Sequence, residues 1–208
     1  IYIRRIEMIR TLTFIAVLTL PLCLSTDVFA AGGDSDSEPE QTQTTKDCLT
    51  ERQWDPEIKK YVVFSKKVNG IWDTSIKKCV RPDKTSYLDL NTLYKAVREL
   101  AYAGRYSEAI QVLDNMPDQE SDQVLTYRGF TARKLGHVQL ANIFYQRAIH
   151  ANPNNLLARS YMAQGFVENG NKVSAIKQLR EIQKRGGMGT WAETALRKAI
   201  ETEATFSY

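Results

Sequence analysis

The sequence has few of the residues that carry most enzyme chemistry. It contains two histidines, His137 and His150, among 208 residues. Neither has a cysteine, serine or carboxylate partner at a recognisable catalytic or metal-binding spacing, and the chain has no glycine-rich phosphate loop. These absences argue against the familiar hydrolase, metalloenzyme and nucleotide-binding motifs. We expect a protein that is not an enzyme and that uses no metal ion and no cofactor.

The chain also lacks a strong excess of charge of either sign. Its 28 Lys and Arg against 24 Asp and Glu give a formal net charge of +4. Domains that bind nucleic acid usually carry a clear basic excess. The near balance therefore argues against a nucleic-acid partner.

The apolar run Leu12–Leu24 is too short to span a bilayer comfortably. Basic residues precede it, and small residues that suit signal peptidase follow at Val28 and Ala30. This order is typical of a secretory signal. We predict a signal peptide at 1–30, cleaved between Ala30 and Ala31, and a periplasmic or secreted protein that meets a membrane only during export; a retained anchor is the alternative. The leader fits a start at Met8 as well as at the first residue.

Two cysteines follow the leader, Cys48 and Cys79. An even pair in a short exported segment predicts a disulfide, and two separate buried thiols are the alternative. We place this bridge in a small β module at 47–84. Residues 31–46 lack an apolar residue that could anchor them to a core, so we predict a disordered linker there.

The small module contains its own repeat. The triplet Trp54-Asp55-Pro56 returns as Trp72-Asp73-Thr74, 18 residues later. Asp55-Pro56 and Asp73-Thr74 favour turns, and Asn69-Gly70 is a good hairpin turn, so we predict two small β-hairpins that each carry a tryptophan. The two tryptophans form either a carbohydrate-stacking platform or simply the core of the module.

The remainder of the chain repeats with a period of about 34 residues. Three glycines lie 32 and then 34 residues apart, and an alanine follows each of them five residues later: Gly104, Gly136 and Gly170, with Ala109, Ala141 and Ala175. A fixed period of this length predicts stacked structural repeats. Such stacks make long binding surfaces more often than active sites.

Within each copy the apolar residues follow helical spacing. We predict three helix hairpins, each turning at one of the glycines, and a last helix from Thr190 to Thr205 that caps the apolar face of the third hairpin. Small residues mark the places where the two helices of a hairpin approach closely. On the first helices these positions are Val97, Gly129 and Ala163, which we expect to face the repeated alanines.

The second copy, from Asp122 to Asn155, carries the fullest set of such positions: Leu125, Gly129, Gly136, Ala141, Tyr145, Ala148 and Pro153. This pattern resembles the tetratricopeptide repeat family. The third copy lacks the final proline, and the first copy is two residues short. The resemblance covers about residues 88–205.

For a domain at 86–206 the resemblance implies an all-α fold, a superhelical stack of three tetratricopeptide-like helix hairpins with a C-terminal capping helix. The small disulfide-linked β-hairpin module precedes it. The family binds peptides or partner proteins in a concave groove lined by the first helix of each hairpin. The positions that match this groove are Asn91, Tyr94, Arg98, Tyr102, Gln123, Tyr127, Phe130, Arg133, Tyr161 and Gln164.

This residue set implies an aromatic groove with two arginines, which suits an extended peptide with apolar or acidic side chains. The alternative is that several of the tyrosines pack between the repeats. The lysine and asparagine clamp of the family's chaperone-binding members is missing, since Tyr94 and Arg98 stand at its first positions. Chaperone-tail binding is therefore not expected.

We expect a non-catalytic protein–protein interaction scaffold of the bacterial envelope, with a partner protein or extended peptide in the groove. The alternative is binding of an envelope polysaccharide or peptidoglycan through the module that carries Trp54 and Trp72.

Overall fold

The computed structural model describes residues 39–46, 48, 52–55, 60–63, 70–84 and 88–206, with only the backbone for 52–55 and 60–63. The predicted signal peptide, the linker up to residue 38 and the side chain of Trp54 lie outside the described residues.

The small module begins with a short helix and continues as two antiparallel hairpins. Its elements are α1 (Gln43–Lys46), β1 (Arg52–Asp55), β2 (Lys60–Val63), β3 (Ile71–Asp73) and β4 (Lys78–Val80), with β1 paired to β2 and β3 to β4. A disulfide joins Cys48 to Cys79, whose Cα atoms are 5.4 Å apart. The predicted hairpins and the predicted disulfide are confirmed. The prediction of a hairpin turn at Asn69-Gly70 is wrong, because these residues lie between β2 and β3, which do not pair with each other.

The prediction of a disordered linker is wrong for its last residues, because α1 is ordered against the helical domain. Buried Glu99 accepts hydrogen bonds from the backbone N–H groups of Thr42, at 2.8 Å, and Thr45, at 3.0 Å. The hydroxyl groups of both threonines also donate to this carboxylate. A buried carboxylate needs several donors to offset its lost hydration, and this segment supplies them. The anchor is therefore polar, which is why a search for apolar residues missed it.

Arg105 makes a second polar link to the module. Its guanidinium donates to the carbonyl oxygen of Thr44 at 3.0 Å and to that of Cys48 at 2.7 Å. Ile71 of β3 is almost fully buried and belongs to the same apolar cluster as the first two helix pairs. The module thus completes one end of the helical core.

Seven helices follow: α2 (Leu90–Tyr102), α3 (Tyr106–Asp114), α4 (Asp122–Lys134), α5 (Val138–Ala151), α6 (Leu156–Glu168), α7 (Lys172–Lys184) and α8 (Trp191–Thr202). The first six form three contacting pairs, α2 with α3, α4 with α5 and α6 with α7. The single helix α8 packs on both α6 and α7. The predicted hairpins and last helix are therefore present, although α8 ends at Thr202 rather than Thr205.

The three repeated glycines form the same turn three times. Gly104, Gly136 and Gly170 have φ of 75°, 85° and 72°, in the left-handed region that glycine tolerates best. The backbone N–H after each glycine donates to the carbonyl five residues earlier, at 2.9, 2.8 and 2.8 Å. This pattern satisfies the open carbonyl groups at the end of each first helix. The period of about 34 residues in the sequence therefore corresponds to a C-cap that recurs at the end of each first helix.

Gly129 marks the closest approach within the second pair. A Cβ atom at this position would lie 2.5 Å from the ring of Tyr145, which is fully buried. The sequence led us to expect Ala141 opposite Gly129, whereas the nearest side-chain atoms belong to Tyr145 one turn further on. The glycine therefore makes room for an aromatic ring.

We expect Gly129→Ala to lower the free energy of unfolding by roughly 1–3 kcal/mol, because the buried Tyr145 ring must shift. Gly136→Ala is the matched control, since a Cβ there meets nothing within 4 Å and only the positive φ is strained. The third pair has Ala163 and Leu179 at the equivalent positions.

Tyr145→Leu should therefore restore part of the unfolding free energy that Gly129→Ala removes, but none of the unfolding free energy that Gly136→Ala removes. A double-mutant cycle by chemical denaturation measures this coupling. Strictly additive changes for Gly129→Ala with Tyr145→Leu would contradict the proposed contact.

Candidate binding face

The ten residues of the predicted groove all lie on α2, α4 and α6, the first helices of the three pairs. Seven of them are buried: Tyr94, Arg98, Tyr127, Phe130, Arg133, Tyr161 and Gln164. Tyr102 and Gln123 are half-buried and Asn91 is exposed. The buried tyrosines match the alternative in which they pack between repeats, and of the ten residues only Asn91, Tyr102 and Gln123 are more than slightly exposed.

Six aromatic side chains form a continuous row, here named the aromatic spine: Tyr94, Tyr102, Tyr127, Phe130, Tyr161 and Trp191. Neighbouring ring centroids are 5.6 Å apart for Tyr94 and Tyr127, and 4.8 Å for Phe130 and Tyr161. Trp191 of α8 extends the row, 5.8 Å from Tyr161. Each such pair contributes about 0.5–1.5 kcal/mol beyond its buried area. The spine thus ties α2, α4, α6 and α8 together.

The hydroxyl groups of the spine bond to one another. Tyr102 shares a hydrogen bond with Tyr161, and its oxygen is 3.4 Å from that of Tyr127. Burial raises the pKa of Tyr102 and Tyr161 well above the ordinary tyrosine value. Burial also raises the pKa of Tyr127, although the nearby Arg98 guanidinium opposes this effect. These hydroxyls are protonated and engaged inside the protein.

Arg133 is the second arginine of the predicted groove, and it is already paired. Its Nη1 atom donates to Glu168 Oε1 at 2.6 Å, which links α4 to α6. Burial alone would lower the pKa of Arg133, but the neighbouring Tyr145 and Glu168 raise it overall. Arg133 is therefore a charged link between repeats.

A short irregular segment, Glu203–Phe206, follows α8 and contacts α6. The backbone N–H of Phe206 donates to Gln164 Oε1 at 2.8 Å, and the Thr205 hydroxyl donates to Glu168 Oε1 at 2.8 Å. This segment was not predicted, because we expected the last helix to continue through Thr205. The signal that ends the helix is structural: Glu203 has a φ of 59°.

The remaining candidates for chemistry are dispersed. His137 and His150 are exposed. Among the described residues no group of three potential metal ligands comes together. None of the described helices is long and apolar enough to cross a membrane.

Comparison of the chain with protein-family profiles, with curated proteins and with solved structures found no match. The resemblance to tetratricopeptide repeats therefore rests on the residues of this chain alone.

The buried tyrosines predict a loss of stability at high pH. A folded-state pKa above the unfolded value of about 10 means that the stabilising contribution is complete below pH 10 and is lost as the pH rises further. Spine tyrosines should therefore ionise only as the helices unfold. Tyrosinate absorbance and helical circular dichroism, recorded along one alkaline titration, test this coupling.

Tyr127→Phe is the matched variant, because it removes one buried hydroxyl and keeps the ring. Its stability should fall less steeply with pH above 10 than that of the unchanged protein. Complete ionisation of the tyrosines with unchanged helical signal would contradict the packing described here.

Proposed function

We propose that this chain is an exported, non-catalytic scaffold that holds an extended peptide of a partner protein along its first helices. On this proposal the three pairs and α8 are tetratricopeptide-like repeats with a cap, arranged as a superhelical stack. The repeated glycine turn and the contacts of α2 with α4, of α4 with α6 and of α6 with α8 support it. The disulfide fits the oxidising compartment that export would provide.

The observation that carries the proposal is the hydrogen bonding of the segment Glu203–Phe206 to α6. The peptide N–H group of Phe206 bonds to the side-chain amide of Gln164, one of the ten residues that the resemblance assigns to partner binding. A primary amide has both donors and an acceptor, so it can bond to the N–H or C=O group of any peptide. This contact supports recognition of a peptide through its backbone.

The other two first helices each carry one amide side chain as well. Asn91 and Gln123 lie 13 residues before Gly104 and Gly136, whereas Gln164 lies 6 residues before Gly170, about two turns further along its helix. Asn91 lies on α2, where it is exposed, and Gln123 lies on α4, where it is half-buried. With Gln164 they supply one amide for each first helix. Arg98 and Arg133 are buried in the interior, so we assign partner contact to the amides and to the open edge of Tyr102.

Replacing both Asn91 and Gln123 by Ala should abolish capture of the principal partner from envelope extract while thermal stability stays unchanged. The control is the double replacement of Gln139 and Gln146 by Ala, two exposed amides on the second helix α5. Affinity capture followed by mass spectrometry provides the measurement. Partner loss in the α5 variant, with retention in the α2 and α4 variant, would contradict the proposed face.

A second function, glycan binding by the small module, is favoured by the position of Trp72. Ile71 and Asp73 on either side are buried, while Trp72 is half-buried. Alternate residues of a strand face opposite sides, so Trp72 lies away from the core face of β3. A partly open aromatic ring is the group that stacks on sugar rings.

On this second proposal, Trp72→Ala should weaken binding of the protein to insoluble peptidoglycan, measured by co-sedimentation, by about 2- to 12-fold, which corresponds to the energy of one aromatic stacking contact. Ile76→Ala is the control, because Ile76 is an exposed apolar residue of the same module. Equal sedimentation of both variants and the unchanged protein would exclude a stacking role for Trp72.

A further inference from the structure

We propose that Glu203–Phe206 is an internal occupant of the partner-binding face, which a partner peptide must displace in order to bind. This inference rests on the proposed function and concerns its regulation. The segment uses contacts of the kind that a peptide from another protein would use.

The buried side chain of Gln164 is the main reason to expect that a peptide covers this part of α6. This side chain is fully buried, and its Nε2 atom donates to the Ser160 hydroxyl at 3.4 Å. Within the described residues its Oε1 atom accepts from the Phe206 backbone alone. A buried acceptor without a donor is costly, so removal of the segment leaves a site that another peptide N–H group can satisfy.

The neighbouring contacts define what kind of peptide fits. Glu168 is held by Arg133 and accepts from the Thr205 hydroxyl, so a hydroxyl side chain is matched at that place. The Phe206 ring packs against the apolar cluster where α6, α7 and α8 meet. The Lys198 ammonium lies 5.3 Å from the centre of this ring. The site therefore fits Ser or Thr followed by an aromatic residue.

The attachment of the segment is weak enough to be reversible. It turns back at Glu203, whose positive φ is unfavourable for a residue other than glycine. The ion pair of Glu203 with Lys172 is largely solvent-exposed, and such pairs contribute little. Few contacts hold the segment, which is typical of elements that open locally.

An internal ligand reduces the apparent affinity of any competitor, because the competitor can bind only during the fraction of time in which the site is free. If the segment occupied the site about 90–99% of the time, the apparent affinity for a partner peptide would be about 10- to 100-fold lower. Loss of the Phe206 ring should remove most of this penalty.

The test uses a phage-displayed library of random peptides, panned against the full chain and against full-chain Phe206→Ala. We expect the variant to enrich peptides with Ser or Thr followed by an aromatic residue. A synthetic peptide of that sequence should bind the variant at least about tenfold more tightly than the unchanged protein, by fluorescence anisotropy. Met188→Ala, at an exposed apolar residue before α8, is the control and should match the unchanged protein.

Two further variants separate the possible results. Gln164→Ala, added to Phe206→Ala, should abolish binding of the enriched peptide, and Thr205→Ala alone should give a smaller gain than Phe206→Ala. If the peptide binds the unchanged protein and Phe206→Ala with equal affinity, Glu203–Phe206 is not an internal occupant, but the proposed function is unaffected. Failure to enrich peptides on any variant overturns both. Circular dichroism of each variant verifies that the helices are intact.

Discussion

Burial of tyrosine hydroxyl groups between the first helices is the constraint on which the stack depends. A phenol inside a protein needs a hydrogen-bond partner, and Tyr102 meets this need through Tyr127 and Tyr161. The three residues belong to three different helix pairs, so their hydroxyls fix the distance between pairs rather than within one. The same engagement removes these groups from partner contact. On the proposed function, recognition is left to the side-chain amides on the same helices.

Both ends of the helical stack are covered by polar contacts to segments outside the helix pairs. At one end Glu99 accepts from the residues around α1, and Arg105 donates to their carbonyl oxygens. At the other end Gln164 and Glu168 accept from Glu203–Phe206. The terminal repeats of a stack have an exposed face that must be made compatible with solvent. The first cover is the stronger one, because it includes a disulfide and a buried carboxylate, whereas the second is only the short segment Glu203–Phe206.

The helix pairs were predictable from sequence because their signals are local. A glycine at a left-handed turn and apolar residues at helical spacing identify each pair without knowledge of the others. The burial of Tyr127 and Arg133 was not predictable in this way, since helical spacing gives the direction of a side chain but not the distance to the next first helix. The contact of Thr42 with Glu99 joins residues 57 apart and has no periodic signal. The end of α8 was missed because Glu203 is an ordinary helix former in an unusual conformation.

The central claim is that partners contact the first helices and not the second. Site-specific photo-crosslinking in the intact envelope tests it most directly, with the crosslinking residue placed at Gln123 on α4 or at Gln146 on α5. The account predicts a discrete crosslinked partner from position 123 and none from position 146. A partner captured from position 146 alone would contradict it.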